Sequence, residues 1–297
     1  MTRPAATAPT FDHLELRVGG ELGVLALNRP EKLNPLSTEA MEEIIVAARW
    51  FDAQAAVKVV VVRGNGRVFS AGADTTAFGT ATGSLVSGRS PRDDADTGRR
   101  MADAVEAMRA VTVARIQGWC VGGGLVLAAA CDLRVAAQDT TFSIPEVDLG
   151  IPLAWGGIPR LIREIGPALT KELVMTCRPF GADEALRAGF LNRVVPTDDL
   201  DAEVDRLVTQ LVSKATYALL ATKRHVNAVT AQMVGIDRAW ADADALVAGL
   251  RDPEGREKQA TYIASLAARR STRDVPTVPT SDVPTVRTSD VPAVNRP

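Results

Sequence analysis

The chain is short of the residues on which much metal, thiol and histidine chemistry depends. Only two histidines occur among its 297 residues, His13 and His225, far apart in the sequence. They leave almost no material for a metal cluster or a histidine-based triad. Three cysteines, Cys120, Cys131 and Cys177, are odd in number, widely spaced and set in apolar surroundings. That pattern predicts reduced core thiols rather than disulfides or a zinc site. No apolar run approaches the roughly 18 to 20 residues needed to span a bilayer, and Met1 to Thr10 has no apolar stretch of the secretory type. A cytoplasmic location away from membranes is therefore expected. Net charge is −2 with no dense basic block, so the electrostatic footprint of a nucleic-acid binder is missing as well.

What is present is an ordinary globular composition, 46% hydrophobic and 24% charged, in a chain long enough for a large core. Residues 11–18 and 21–27 alternate apolar and polar around Gly19-Gly20, which predicts a β-hairpin. Ser37 is placed to cap a helix running to about residue 53, with Glu39, Glu42 and Glu43 near its positive end. Val57 to Val62 is a nearly unbroken β-branched run and reads as a strand buried on both faces. A second unit follows: a helix at about 98–110, a strand at Val111 to Ile116, the triplet Gly122 to Gly124, an apolar helix to Ala130 and a strand at Leu133 to Ala136. Strands alternating with helices indicate right-handed crossovers and an α/β core. From about residue 157 the pattern turns mainly helical.

Composition marks two further segments. Thr80 to Asp96 is rich in Gly, Ser, Thr, Asp and Arg and reads as a mobile loop. From about Ser271 the chain repeats Asp-Val-Pro-Thr-Val and related units, too poor in burial to order itself. The expected organisation is a flexible N-terminus over 1–10, a core over 11–196, a helical region over 197–270 and a disordered tail over 271–297.

Three stretches have the makings of a site. Phe69-Ser70-Ala71-Gly72-Ala73-Asp74 follows a buried strand, where open α/β sheets bind ligands. Gly122-Gly123-Gly124-Leu125 lies between a strand and a helix, whose first N–H groups point outward unpaired. It reads either as a tight turn or, with the first stretch, as a cradle for an oxyanion. It lacks the third glycine of a dinucleotide fingerprint and the Lys-Ser/Thr of a P-loop. The third stretch runs from Phe142 to Pro152 through Pro145-Glu146 and continues to Trp155-Gly156-Gly157 and Arg160. Glu146 between Pro145 and an apolar run is either a partly desolvated acid/base or a side chain that caps a turn or pairs with Arg160.

These segments, with Asn28-Arg29-Pro30-Glu31-Lys32-Leu33-Asn34 and Asp252-Pro253-Glu254-Gly255-Arg256, occur in the order and approximate spacing of the crotonase (enoyl-CoA hydratase/isomerase) superfamily. The chain resembles that family from about residue 11 to 269. The resemblance implies a spiral β/α core, a C-terminal helical region used in trimer assembly, and a homotrimer or homohexamer. It implies an acyl-CoA substrate and no separate cofactor, coenzyme A being part of the substrate. Carried over by position, the oxyanion hole falls on the backbone N–H groups of Ala73 and Gly123, and Glu146 becomes the acid/base. The substrate path would include Lys32, Leu33, Ala71, Asp74, Thr75, Thr76, Gly122 and Val126, and Trp155 is read as either pocket wall or core. Lys223 or Arg224 is a candidate for a CoA phosphate or a solvated helix face.

The departure from the family pattern is at Val126, where hydratases of the family carry a second Glu two residues after the glycine triplet. A single carboxylate suffices to shuttle a proton between α- and γ-carbons. The sequence therefore points to Δ3-to-Δ2 enoyl-CoA isomerisation. Hydration stays open if Asp93, Asp94 or Asp96 replaces the absent carboxylate, and a non-catalytic acyl-CoA binder is the third reading. The aspartate position of dienoyl isomerases and dehalogenases falls on Ala154.

Overall fold

A computed structural model describes residues 8–74, 90–239 and 241–271. The N-terminal hairpin forms as expected from β1 (Leu14–Gly19) and β2 (Leu22–Leu27), paired antiparallel across Gly20. After a 3-10 turn at Pro30–Lys32 comes α1 (Thr38–Ala53), where the Ser37 hydroxyl accepts the N–H of Ala40 at 3.2 Å. The β-branched run becomes β3 (Val59–Gly64), joined in parallel by β2 on one side and by β4 (Val111–Ile116) on the other. Further parallel pairings add β6 (Leu133–Ala137) and β9 (Arg193–Val195), giving a six-stranded sheet in the order β1-β2-β3-β4-β6-β9.

Strand periodicity distributes the valines of β3 between two cores, which is why the run is apolar throughout. Val60 and Val62 face the main cluster, which takes in Ile44 and Phe51 of α1, Met101 and Val105 of α2 (Pro91–Glu106) and Leu125 of α3 (Gly123–Ala129). Val59 and Val61 face the opposite way, with Val113 and Val135, onto Leu200, Val204, Leu207 and Val208 of α6 (Leu200–Val212). A second, three-stranded sheet, β5 (Trp119–Val121), β7 (Thr141–Ser143) and β8 (Phe180–Gly181), holds the ends from which the site is built.

The start of α2 and the short strands depart from the sequence expectation. The helix expected at 98–110 starts seven residues earlier, because Pro91 opens it and the Ser90 hydroxyl caps the Asp93 N–H. The expected loop over Thr80 to Asp96 is therefore helical from Pro91. Its acidic residues are the solvated first turns of α2, a composition that imitates a loop, and 75–89 lie outside the described residues. The short strands β5, β7, β8 and β9 carry too few residues to show a period.

The remaining helices are α4 (Gly157–Thr176), which breaks at Gly166-Pro167, α5 (Ala182–Arg187), α7 (Thr216–Met233), α8 (Asp242–Arg251) and α9 (Pro253–Ser271). On α7 the reading of Lys223 as a phosphate contact or solvated side chain is overturned. It is buried, pairs with Asp132 at 2.7 Å and donates to the Ala110 carbonyl at 2.8 Å. Arg224 beside it is exposed. All three cysteines are buried free thiols. Among the described residues no helix is long and apolar enough to cross a membrane.

One buried amide ties the N-terminal unit to the segment that follows β3. Asn34, 1% exposed, donates through Nδ2 to the carbonyls of Asn65, Val68 and Phe69, while its Oδ1 accepts the Arg29 N–H. Removing the donor leaves buried carbonyls unsatisfied. Asn34→Ala is expected to lower unfolding free energy by about 2 to 4 kcal/mol. Asn34→Asp should not rescue it, since a carboxylate would face those same oxygens. Denaturant titration of both variants checks this; wild-type stability in either would contradict the role.

Candidate active site

The segment 69–74 is held from both sides. Toward β5, Phe69 N–H donates to Gln117, Ser70 N–H to Trp119, and Val121 N–H to the Ser70 carbonyl. Toward the N-terminal unit, Ala71 N–H donates to Leu33, Leu36 N–H to Gly72, and Asp74 N–H to Leu36. Leu33 and Asn34 turn the chain into this pairing with positive φ of 65° and 52°. The buried Ser70 hydroxyl donates to the Asn34 carbonyl at 2.8 Å and accepts the Gly72 N–H at 3.1 Å. Every neighbouring N–H is thus engaged, whereas that of Ala73 donates to no other described residue.

The parallel bridge of Ser70 with Cys120 brings the continuation of this segment alongside the turn after β5. A Cβ added to Gly72 would lie 3.5 Å from the Gly123 nitrogen. Gly123 is the first residue of α3, so its N–H has no acceptor within the helix. Two main-chain donors from sequentially remote segments therefore meet at one place.

The carboxylate of Glu146 reaches the same place from the loop after β7. The loop is closed by Leu149 N–H to Pro145, Gly150 N–H to Val147 and Ile151 N–H to the Glu146 carbonyl. Gly122 has φ of 47°, and a side chain there would put its Cβ 2.4 Å from Glu146 Oε1, so both the turn and the carboxylate require glycine. The residue as a whole is partly exposed, but Oε2 is shut off from solvent and has no hydrogen-bond partner among the described residues. Burial pushes the Glu146 pKa up from 4.5 to about 7. Arg160 does not relieve it: the ion pair with Glu146 that the sequence left open does not form. Its guanidinium goes instead to Glu106 at 2.7 Å and Asp103 at 2.8 Å.

Ala73, Gly123, Val126, Glu146, Ala154 and Trp155 line one pocket, whose inner space is about 40 Å³. Among the described residues of its lining, Glu146 alone is ionisable. Gly122 lies beneath the carboxylate. Ala71, Asp74 and Leu33 belong to the supporting backbone pairing rather than the lining, and Lys32 is exposed on the 3-10 turn. Thr75 and Thr76 lie outside the described residues. Asp93, Asp94 and Asp96 do not line the pocket: Asp93 bonds Ser90, and Asp96 pairs with Arg99 at 2.7 Å.

Sequence reasoning missed Ile151, Pro152, Leu153 and Leu246 in the lining. Ile151 and Pro152 sit in the stretch from Phe142 to Pro152 and Leu153 follows it directly, but Leu246 arrives from α8 and had no signal beyond an apolar position on an amphipathic helix. It also missed Asn34 and Ser70 as the residues that position the donors.

Comparison with known proteins places these features in context. A family model described as enoyl-CoA hydratase/isomerase matches residues 18–261. The chain is 34% identical over 237 residues to the crotonyl-CoA hydratase of Syntrophomonas wolfei, covering 79% of this chain and 88% of that protein. It is 31% identical to the short-chain-enoyl-CoA hydratase of Clostridium acetobutylicum, over 73% of this chain and 82% of the relative. Among solved structures, an enoyl-CoA hydratase from Mycobacterium avium subsp. paratuberculosis superposes with a TM-score of 0.75 at 26% identity, over 85% of this chain and 99% of that one. One from Bacillus halodurans gives 0.77 at 22% identity, over 84% and 100%, a likeness of fold.

The desolvated carboxylate has a cost that depends on pH. A carboxyl whose folded pKa is raised holds its proton more tightly in the folded state, so stability falls as pH rises from about 4.5 through about 7. Glu146→Gln removes that loss. The variant should exceed wild type by up to about 3 kcal/mol at about pH 8, with the gap shrinking toward zero as pH falls below about 5. Urea unfolding at the two pH values measures the gap; a gap that is absent or constant with pH would show that the carboxylate is not desolvated.

Proposed function

Because the chain belongs to the enoyl-CoA hydratase/isomerase family, we propose that it is the Δ3-to-Δ2 enoyl-CoA isomerase among that family's reactions, with Glu146 carrying the proton. The observation that carries this reading is the pocket itself. Among the described residues it has one carboxylate, without a partner at Oε2, and the apolar, fully buried Val126 in the same lining.

The chemistry follows from what each group can do. With the thioester oxygen on the N–H groups of Ala73 and Gly123, Glu146 removes the α-proton of a 3-enoyl thioester. The electron pair of that C–H bond passes into a dienolate whose oxygen the two donors stabilise, a contribution of about 2.7 to 4 kcal/mol for a single such donor. Glu146 then returns the proton at the γ-carbon, the double bond moves to the 2-position, and no proton or electron is gained or lost. A base with a pKa of about 7 suits this exchange, since it both accepts and releases its proton near neutral pH. Coenzyme A would run along Lys32 to Pro35 and Ala71 to Thr76.

Hydration is the second reading, favoured by the printed names of the relatives, several of which are hydratases. It requires a water activated at the β-carbon in addition to proton delivery at the α-carbon, and Val126 offers no base for that water. Assembly into a trimer or hexamer belongs to the same proposal. It is supported by the apolar side chains that α7 exposes, Tyr217, Val226, Val229 and Met233, and a cytoplasmic location goes with it.

Purified protein offered a 3-enoyl-CoA should convert it to the 2-enoyl isomer, with kcat/KM rising about tenfold per pH unit below about pH 7 and levelling above it. Glu146→Gln should lower kcat/KM by about 10² to 10⁴. Efficient water addition to a 2-enoyl-CoA by the wild type would establish hydration instead, and binding without turnover of either would leave a carrier of acyl-CoA.

A further inference from the structure

We propose that Trp155 sets acyl-chain length: its indole fills a slot between α2 and α3 at the pocket wall and restricts the enzyme to short-chain acyl thioesters. The inference rests on the acyl-CoA reading above and adds to it the class of acyl group.

The slot is made by two glycines on different helices. A Cβ on Gly98, inside α2, would lie 2.1 to 2.3 Å from Cδ2, Cγ and Cε2 of Trp155. A Cβ on Gly123, at the start of α3, would lie 2.1 Å from Cζ3 and 2.9 Å from Cε3 and Cη2. One edge of the indole therefore rests on the backbone of α2 and the other on that of α3. Glycine within a helix is destabilising relative to alanine, and for Gly98 the ring supplies the reason it is tolerated: no other side chain leaves room.

The ring is also held from behind. Trp155 has φ of 60°, a left-handed conformation uncommon for a bulky residue. The carbonyls of Trp155 and Gly156 accept from Arg160 Nη1 at 3.4 and 3.3 Å, and the Gly156 N–H donates to Asp242 Oδ2 at 2.9 Å. Arg160 is 1% exposed and is itself locked by Asp103 and Glu106, so it acts as a positioning residue for the indole. The result is an aromatic wall, seated on two glycines and carried by a fastened backbone, beside an inner space of about 40 Å³, which holds about three water-sized groups. The indole occupies the space along the lining that an extended alkyl chain would take.

Binding of butyryl-CoA and octanoyl-CoA, saturated thioesters that are not turned over, tests the idea by calorimetry without depending on which reaction the enzyme performs. Wild type should bind butyryl-CoA at least about tenfold more tightly. Trp155→Gly, chosen because glycine accepts the left-handed backbone, should raise the octanoyl-to-butyryl affinity ratio by at least about tenfold, and Trp155→Phe should move it the same way by less. A wild type that prefers octanoyl-CoA, or a ratio unchanged in the folded variants, would overturn the proposal while leaving the acyl-CoA reading intact. Failure of the wild type to bind either thioester would overturn both. Independently, Gly98→Ala should lower Tm in the wild type but not in Trp155→Gly; equal effects in the two backgrounds would show that the ring is not seated between the helices.

Discussion

The site depends on how the segment after β3 is pinned. Residues 69–74 lie between the turn at Leu33–Leu36 and β5, with backbone hydrogen bonds on both sides. Asn34 and Ser70 close the gaps that regular pairing leaves. A segment fastened in this way cannot rotate its peptide planes, so the Ala73 N–H is held where neither neighbouring segment uses it. A donor that must stabilise charge without reorganising needs that rigidity more than it needs a special side chain. Under the proposed function, alanine and glycine serve because the work falls to the backbone, and small side chains let a ligand reach it.

Around the two donors the protein separates its charges with some care. Arg160 and Arg163 pair with Asp103 and Glu106 a short way along α4 and α2, and Arg160 also donates to the carbonyls of Trp155 and Gly156. Glu146 is left with no counter-ion among the described residues. Its raised pKa is a direct result of that isolation, since an arginine at hydrogen-bonding distance would hold the carboxylate ionised and too weak a base. Folding stability is given up for proton affinity, and the supporting network compensates from a distance.

Much of the framework was legible beforehand. Ser37 and the apolar stripe behind it defined α1, the β-branched run defined β3, and Val111 to Ile116 marked β4 to the residue. Each carries a period or a cap in consecutive residues. The start of α2 was not legible, because Pro91-Arg92-Asp93-Asp94 has the composition of a loop and owes its helicity to the Ser90 cap and to packing further along. Nor were β5, β7 and β9, whose three residues apiece pair only because a neighbouring strand is already in place. The burial of Lys223 is of the same kind, since its partner Asp132 lies on a different element.

The sequence by itself determined the chemistry available: small residues at two candidate donor positions, one carboxylate after Pro145, and valine at position 126. Those are properties of residue identity and order, and no fold can alter them. Tertiary structure decided everything that depends on distance between remote segments. It brought residue 73 to residue 123, turned Arg160 away from Glu146, carried Leu246 of α8 into the lining, and seated an indole on two glycines 25 positions apart. Proton affinity and pocket depth arise from such meetings, because desolvation and steric closure are exerted by whatever surrounds a group in space, irrespective of its place along the chain.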